Sequence, residues 1–555
     1  MSRTSIRNTR TSAASLATSP VPGEEQPGLL QQFQHLCQIS LGFMGQALPL
    51  AIGCGLLGLI VGDKVGLALG AGSFVMILSW RYPQGALWCF FLYMPFAGTV
   101  TYWLAGGNSL FQLAKDAFYV PALLSIFIAI SRTKKQNFFK PQSILPSLWL
   151  LISFCILSLI FVNIPRQFSE GGALLAQGVL GMKVLVGYVP LIFLLQIIIP
   201  RQRELWLFNR IHVLLAIVCS LLCLVQYLFL STGRCAGTDH LSGEALFSAT
   251  LEAKCLVGGS LVYSPSQGVI RLPGTFVAPW QWGWFLIGNA YITFAAAFAD
   301  PSWRWRLVGF LGMGCVTMGA VICGQRIALA LVPVSFVLLL VLTGQLVNLK
   351  RLIPIIIASI VVGLWAWFQY QSLILERIAS FQGRWEASPA DAMIAFQFSF
   401  VWRSLKGEEL LLGHGLGTAT NSARMFGKTT LIETWFPKLL FEIGLLGTFI
   451  FIIFVTVLSI FTFIQYRRLQ DRNLRTLGAC YWVFVLFISY QTYYYPLDVD
   501  PVAVYYWTMV GVLFRLTDLD RQLMDAEKTT ERSPQEKTIK PRFAPMRPPS
   551  LGVRD

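Results

Sequence analysis

The chain has 555 residues, 55% of them hydrophobic and 13% charged, with a formal net charge of +16. Soluble globular domains carry about 25% charged residues, so this composition, with a mean hydropathy of +0.61, excludes a soluble enzyme and describes a polytopic membrane protein. The excess lysines and arginines lie in short clusters between apolar runs, without interleaved stacking aromatics, which excludes a nucleic-acid partner and makes the lipid bilayer the partner instead.

Residues 1–40 read as a disordered N-terminal tail in which Ser, Thr, Arg and Gly dominate. No apolar run follows a short charged region there, so no cleavable signal peptide is expected and the first helix acts as the insertion signal. Crossing a bilayer takes about 17–25 apolar residues. Runs of that kind lie at 41–61, 65–80, 85–102, 112–131, 145–162, 177–199, 207–230, 281–299, 307–323, 327–343, 354–371, 436–463, 476–493 and 499–515. The expected fold is therefore an all-α polytopic membrane protein with about fourteen transmembrane helices, in a range of about 12–14. Residues 516–555, rich in proline and charge, read as a second disordered tail.

With both termini cytoplasmic, the basic clusters fall on one side: Arg81, then Arg132, Lys134, Lys135 and Lys140, then Arg201 and Arg203, then Arg304 and Arg306, then Lys350 and Arg351, then Arg467, Arg468, Arg472 and Arg475. That is the positive-inside pattern. Two outward connections are long, 231–280 and 372–435, whereas 163–176 and 494–501 read as hairpin links. Cys235 and Cys255 share the first long connection, and an oxidising outer compartment permits a disulfide between them. No His/Cys/Asp/Glu group has metal-ligand spacing, so no metal site is expected.

Chemistry is expected where arginines gather near the outer surface. Arg271 opens the segment Arg271-Leu272-Pro273-Gly274-Thr275-Phe276, Arg326 follows Gln325 between two apolar runs, and Arg377, Arg384, Arg403 and Arg424 follow in the last long connection. An arginine near hydrocarbon is costly unless it pairs or faces water, and its planar fork suits phosphate oxygens. The competing reading makes each one an interfacial anchor or the partner of a carboxylate such as Glu376 or Glu386. Lys438 and Glu442 stand four apart and are expected to neutralise each other. Lys115, Asp116 and Lys183 are further intramembrane charges, and Trp280, Trp282 and Trp284 read as an interfacial belt in preference to a sugar platform.

The order of these features resembles the O-antigen ligase and O-antigen polymerase superfamily: Arg-x-x-Gly-Thr-Phe ahead of a helix, Gln-Arg between helices, a long outer connection, Gly413-His414-Gly415-Leu416-Gly417, then Glu442-Ile443-Gly444-Leu445-Leu446-Gly447. The resemblance covers about residues 110–515 and is densest from Arg271 to Gly447. It implies a GT-C-like architecture in the bacterial inner membrane and a glycan donor carried on undecaprenyl diphosphate, with an acceptor glycan as second substrate. No cofactor is implied, and export or chain-length machinery would be a partner. Arg271 and Arg326 would hold the diphosphate leaving group, with Arg377, Arg384, Arg403 and Lys183 within reach of it.

The family's ligases carry a His-Asn pair nine residues ahead of Gly-x-x-Gly, and here Glu433 and Thr434 occupy those two positions. Glu433 is thus one candidate base on the acceptor hydroxyl, although a helix N-terminus near arginines stabilises its anion and weakens it in that role. His414 is the rival. The departure from His-Asn favours a polymerase over a ligase. Outside glycan transfer, an arginine ring with a central carboxylate fits a small-anion transporter such as one for bicarbonate, and an inactive scaffold is the third reading.

Overall fold

The computed structural model describes residues 47–532 except 61, 108–110, 112–113, 134–140, 247–249, 266–267 and 348. The tail expected at 1–40 lies outside the described residues, as does the distal tail from 533. Within them, every apolar run falls on helix. The order is α1 (Ala47–Leu59), α2 (Asp63–Arg81), α3 (Pro83–Tyr93, continued to Leu104 through tighter and wider turns), α4 (Ala114–Thr133), α5 (Leu145–Ser158), α6 (Ile164–Glu170), α7 (Leu174–Val186), α8 (Leu191–Ile198) and α9 (Gln202–Ser231). A small hairpin of β1 (Val262–Ser264) and β2 (Val269–Arg271) precedes α10 (Pro279–Ala299), α11 (Trp303–Ile322), α12 (Arg326–Leu342) and α13 (Leu349–Ala387). The chain closes with α14 (Ala390–Ser404), α15 (Glu409–Leu412), α16 (Trp435–Arg467), α17 (Arg472–Tyr490) and α18 (Asp500–Arg532).

Among the described residues, seven helices are long and apolar enough to cross a membrane, or eight if α7 and α8, bent by 53°, count as one span. Three further apolar helices, Ala47–Leu59, Val65–Arg81 and Arg326–Leu342, are shorter, and the run at 354–371 lies on α13, where several side chains are outside the described residues. The protein is thus a helical, multi-pass membrane protein.

At the centre stands α10, whose apolar window is entirely buried. A helix apolar on all sides has no face to give to solvent, and α10 packs against α9, α11, α12, α17 and α18. This corrects the expected aromatic belt. Trp282 and Trp284 are 0% and 1% exposed, inside the core, and only Trp280 is half-buried.

The stretch expected as the outer connection 372–435 is also largely helical. The apolar run ending near 371 continues through a kink at Tyr370 to Ala387, and α14 and α15 follow. The last helix likewise runs past 515 to Arg532.

In the first long connection Cys235 and Cys255 form a disulfide with Cα atoms 5.6 Å apart. Gln226, near the end of α9, organises the segment that follows: its Nε2 donates to Cys255 O (3.0 Å) and Gly274 O (3.3 Å), and its Oε1 accepts from Gly274 N–H (3.1 Å). Gly98 N–H donates to Thr275 O (3.1 Å), and Leu272 N–H to Cys323 O (3.0 Å). These contacts bring the continuation of α3 and the connections after α9 and α11 to one end of the bundle. At the opposite end, Asp300, fully buried, takes a two-pronged bond from Arg210 at 2.8 Å, the geometry in which a buried charge is best matched.

The second anchoring feature is the break in α16 at Gly444, which has φ +65°. A break frees helix carbonyls that must find other donors. His414 N–H donates to Phe441 O (2.7 Å) and Gly415 N–H to Glu442 O (3.0 Å). A Cβ at Gly444 would lie 2.3 Å from the Leu411 backbone, so only glycine allows this approach. Asn163 clamps the same turn, with Nδ2 donating to Leu416 O (3.0 Å) and Oδ1 accepting from Leu416 N–H (3.1 Å).

Where α7 crosses the turn, a Cβ on Gly181 would lie 2.2 Å from Gly417 N. Gly181→Ala is therefore expected to destabilise the protein by about 1–3 kcal/mol through overpacking. An unchanged melting temperature in detergent would contradict this packing.

Candidate functional site

Two of the arginines singled out in the sequence, Arg326 and Arg377, meet beside Gly324 in the tight α11–α12 link, and the backbone of a third, Arg271, passes the same glycine. Arg271 arrives at the end of β2, held in register by pairing with Val262. Arg326 opens α12, and Arg377 lies on α13 beyond the kink at Tyr370. A Cβ on Gly324 would lie 3.4 Å from Arg377 Nη1 and 3.5 Å from Arg271 Cα. Arg326 and Arg377 line a cavity of about 10 Å³ with Gln325 and Ser380.

The electrostatics are unusual for a protein interior. Arg377 is 6% exposed, and its nearest carboxylate, Glu376, is half-exposed to solvent at 3.6 Å. Arg377 Nε and Nη1 and Arg271 Nε are buried and make no hydrogen bond among the described residues. Buried guanidinium N–H groups without acceptors are costly. A fold retains them when an outside acceptor supplies the missing bonds, and phosphate oxygens match their geometry.

The remaining candidates lie elsewhere. Lys183 Nζ is 2.9 Å from Asp116 Oδ2, while Lys115 pairs with Asp500, which also accepts from Tyr188 Oη (3.1 Å). This group of two lysines and two aspartates neutralises itself, and Lys183 does not line the arginine cavity. Arg403 is exposed on α14 and does not line the arginine cavity. The side chain of Arg384 lies outside the described residues.

Glu433 is half-buried just ahead of α16, where its carbonyl accepts from Tyr494 N–H (3.0 Å) and Thr434 bridges to Tyr493. Burial, and then the Glu433 and Asp498 carboxylates, push the Tyr495 phenol upward. Glu433 lines neither the arginine cavity nor the cleft that holds His414. His414 has its ring against Phe441 (4.4 Å between centroids) and its Nδ1 3.3 Å from Glu409 Oε1, and it lines a separate cleft sharing no residue with the arginine cavity.

The expected Lys438–Glu442 pair does not form. Lys438 Nζ instead meets Asp498 Oδ2 at 2.8 Å, both side chains 2% exposed. Glu442 accepts from Ala419 N–H (2.8 Å) and Thr420 Oγ1 (2.9 Å). The break at Gly444 draws the turn 413–420 onto Glu442 and supplies these donors, which leaves Lys438 to the connection before α18.

Sequence reasoning missed Arg166, Lys428, Asp498 and Asp500. Three of them sit in stretches taken as plain hairpin links, 163–176 and 494–501. Their signal was the presence of charge in links too short to need any. Among the described residues no group of three or more His, Cys, Asp or Glu side chains could hold a metal ion. Comparison with protein-family models, with curated proteins and with solved structures gave no match.

Proposed function

We propose that the protein is a polyprenyl-diphosphate-dependent glycosyltransferase of polymerase type. It would lengthen a surface polysaccharide, an O-antigen, capsule or exopolysaccharide, on undecaprenyl diphosphate at the outer face of a bacterial inner membrane. The observation that carries this reading is the meeting of Arg326 and Arg377 beside Gly324, with the backbone of Arg271 at the same glycine and buried N–H groups of Arg271 and Arg377 lacking acceptors among the described residues. Fixed positive charge beside a departing diphosphate stabilises the transition state more than the ground state, because negative charge grows as the glycosidic bond breaks. The disulfide suits an oxidising outer side. This reading goes with about fourteen crossings, a GT-C-like arrangement and both termini in the cytoplasm.

The arginine cavity, at about 10 Å³, is far smaller than a diphosphate. Binding therefore requires the stretch of α13 beyond Tyr370 to move outward, and the kink there, at φ −130° and ψ 30°, is the place for that rotation. Glu433 is kept as the acceptor-side base, with closure of α13 as the step that would bring donor and acceptor together.

Deletion of the protein followed by gel analysis of the surface polysaccharide tests the proposal. Single repeat units in place of long chains are the expected outcome. Free long chains retained on the carrier would point to a ligase instead, and unaltered polysaccharide with impaired anion uptake would overturn glycan transfer altogether.

A further inference from the structure

The cleft that holds His414 lies between α6, the start of α7 and the segment 414–441, with a volume of about 390 Å³. That is within the range of small-molecule sites, about 300–1,000 Å³. Its chemistry is one-sided. Arg166 and Lys428 line it, and no carboxylate does among the described residues. Ala173 and Leu174, where α7 begins, also line it, so the positive end of that helix faces the same space. Phe426 and Phe441 supply flat apolar surface, and Thr418 and Thr430 supply hydroxyls.

Cations that fork onto carboxylate or phosphate oxygens, ring faces that take the C–H side of a pyranose, and hydroxyls that match sugar hydroxyls together describe one ligand class. We infer that this cleft binds an anionic saccharide. Because it shares no lining residue with the arginine cavity, it holds a part of the glycan chain remote from the bond being made. This last assignment rests on the transferase reading above, whereas the ligand class does not.

Arg166 is a poor test residue, since its Nη1 also donates to the His414 carbonyl and its loss would disturb the turn. Lys428 is exposed, so its side chain can be changed without repacking. The full-length protein in nanodiscs would be titrated with oligogalacturonate, with neutral maltooligosaccharide and with inorganic phosphate. Oligogalacturonate is expected to bind, to weaken with salt, and to lose about tenfold or more in affinity in Lys428→Glu, the scale of one lost charge-assisted contact. Arg326→Ala is expected to bind it normally, and in cells Lys428→Glu is expected to shorten the polysaccharide without abolishing it.

Equal binding of the neutral oligosaccharide, or binding indifferent to Lys428→Glu, would overturn the proposal. Phosphate binding as tightly as oligogalacturonate in a Lys428-dependent manner would also overturn it, because the site would then read phosphate alone. Normal oligogalacturonate binding by a protein that makes no polymer would strike the transferase reading and leave the cleft's ligand class standing.

Discussion

Arg326→Ala and Arg377→Ala are each expected to cut repeat-unit transfer by about 10²–10³-fold, the usual loss when one preorganised donor to a developing anion is removed. The measurement is initial polymerisation rate in membranes supplied with lipid-linked repeat units, together with polysaccharide length in cells. Arg377→Lys is expected to restore little, because an ammonium is a point charge that cannot fork onto two phosphate oxygens. Stability should move in the opposite direction. Arg377 Nε and Nη1 are buried without hydrogen bonds among the described residues, so Arg377→Met is expected to raise the melting temperature or leave it unchanged. Arg403, exposed on α14, is the control, and Arg403→Ala should stay near wild type. Full-length polysaccharide from a folded Arg326→Ala, Arg377→Ala double variant would remove the arginine junction from the mechanism.

Lys438→Ala is expected to cost about 3–5 kcal/mol, the penalty for leaving one member of a buried ion pair uncompensated. Lys438 and Asp498 are both 2% exposed at 2.8 Å, and together they tie the start of α16 to the connection ahead of α18. Loss of monodisperse protein in detergent, or a marked fall in melting temperature, is the readout. The pair also sets a pH dependence. Burial outweighs the attraction of Lys438 and lifts the Asp498 carboxyl from 3.8 to about 6. Folding therefore takes up a proton between about pH 4 and 6. The stability contributed by this group is greatest below about pH 4 and falls as pH rises through about 6. Asp498→Asn is expected to lose that slope relative to wild type in melting temperatures taken from about pH 4 to 7. Parallel slopes in the two proteins would contradict the assignment.

Much of the architecture was legible because its causes are local. Hydropathy over a bilayer-length window is a property of adjacent residues, and each apolar run became helix even where it proved too short or too charged to count as a span. The same local reading misjudged 372–435, since polarity there was taken for loop. Polar residues such as Arg377 and Gln382 sit on the turns of α13 as readily as in a coil, and propensity without an apolar stripe gives little warning. The Trp280–Trp284 cluster failed for the converse reason. Tryptophan suits both an interface and a core, and only the complete enclosure of α10 by its neighbours decided for the core.

By itself, the sequence determined a helical membrane protein, the positions of its apolar helices, the two cysteines able to pair and the set of arginines from which a site could be built. Tertiary structure alone decided which of those arginines meet and which partner each buried charge takes. Arg326 and Arg377 converge where the Arg271 backbone passes Gly324 while Lys183 and Arg403 do not line that cavity, and Lys438 pairs with Asp498 and not with Glu442, four residues along the same helix. In an apolar interior any opposite charge within reach will serve, so sequence spacing ranks several partners almost equally. Backbone geometry, above all the Gly444 break and the turn it admits, determines which of them is within reach.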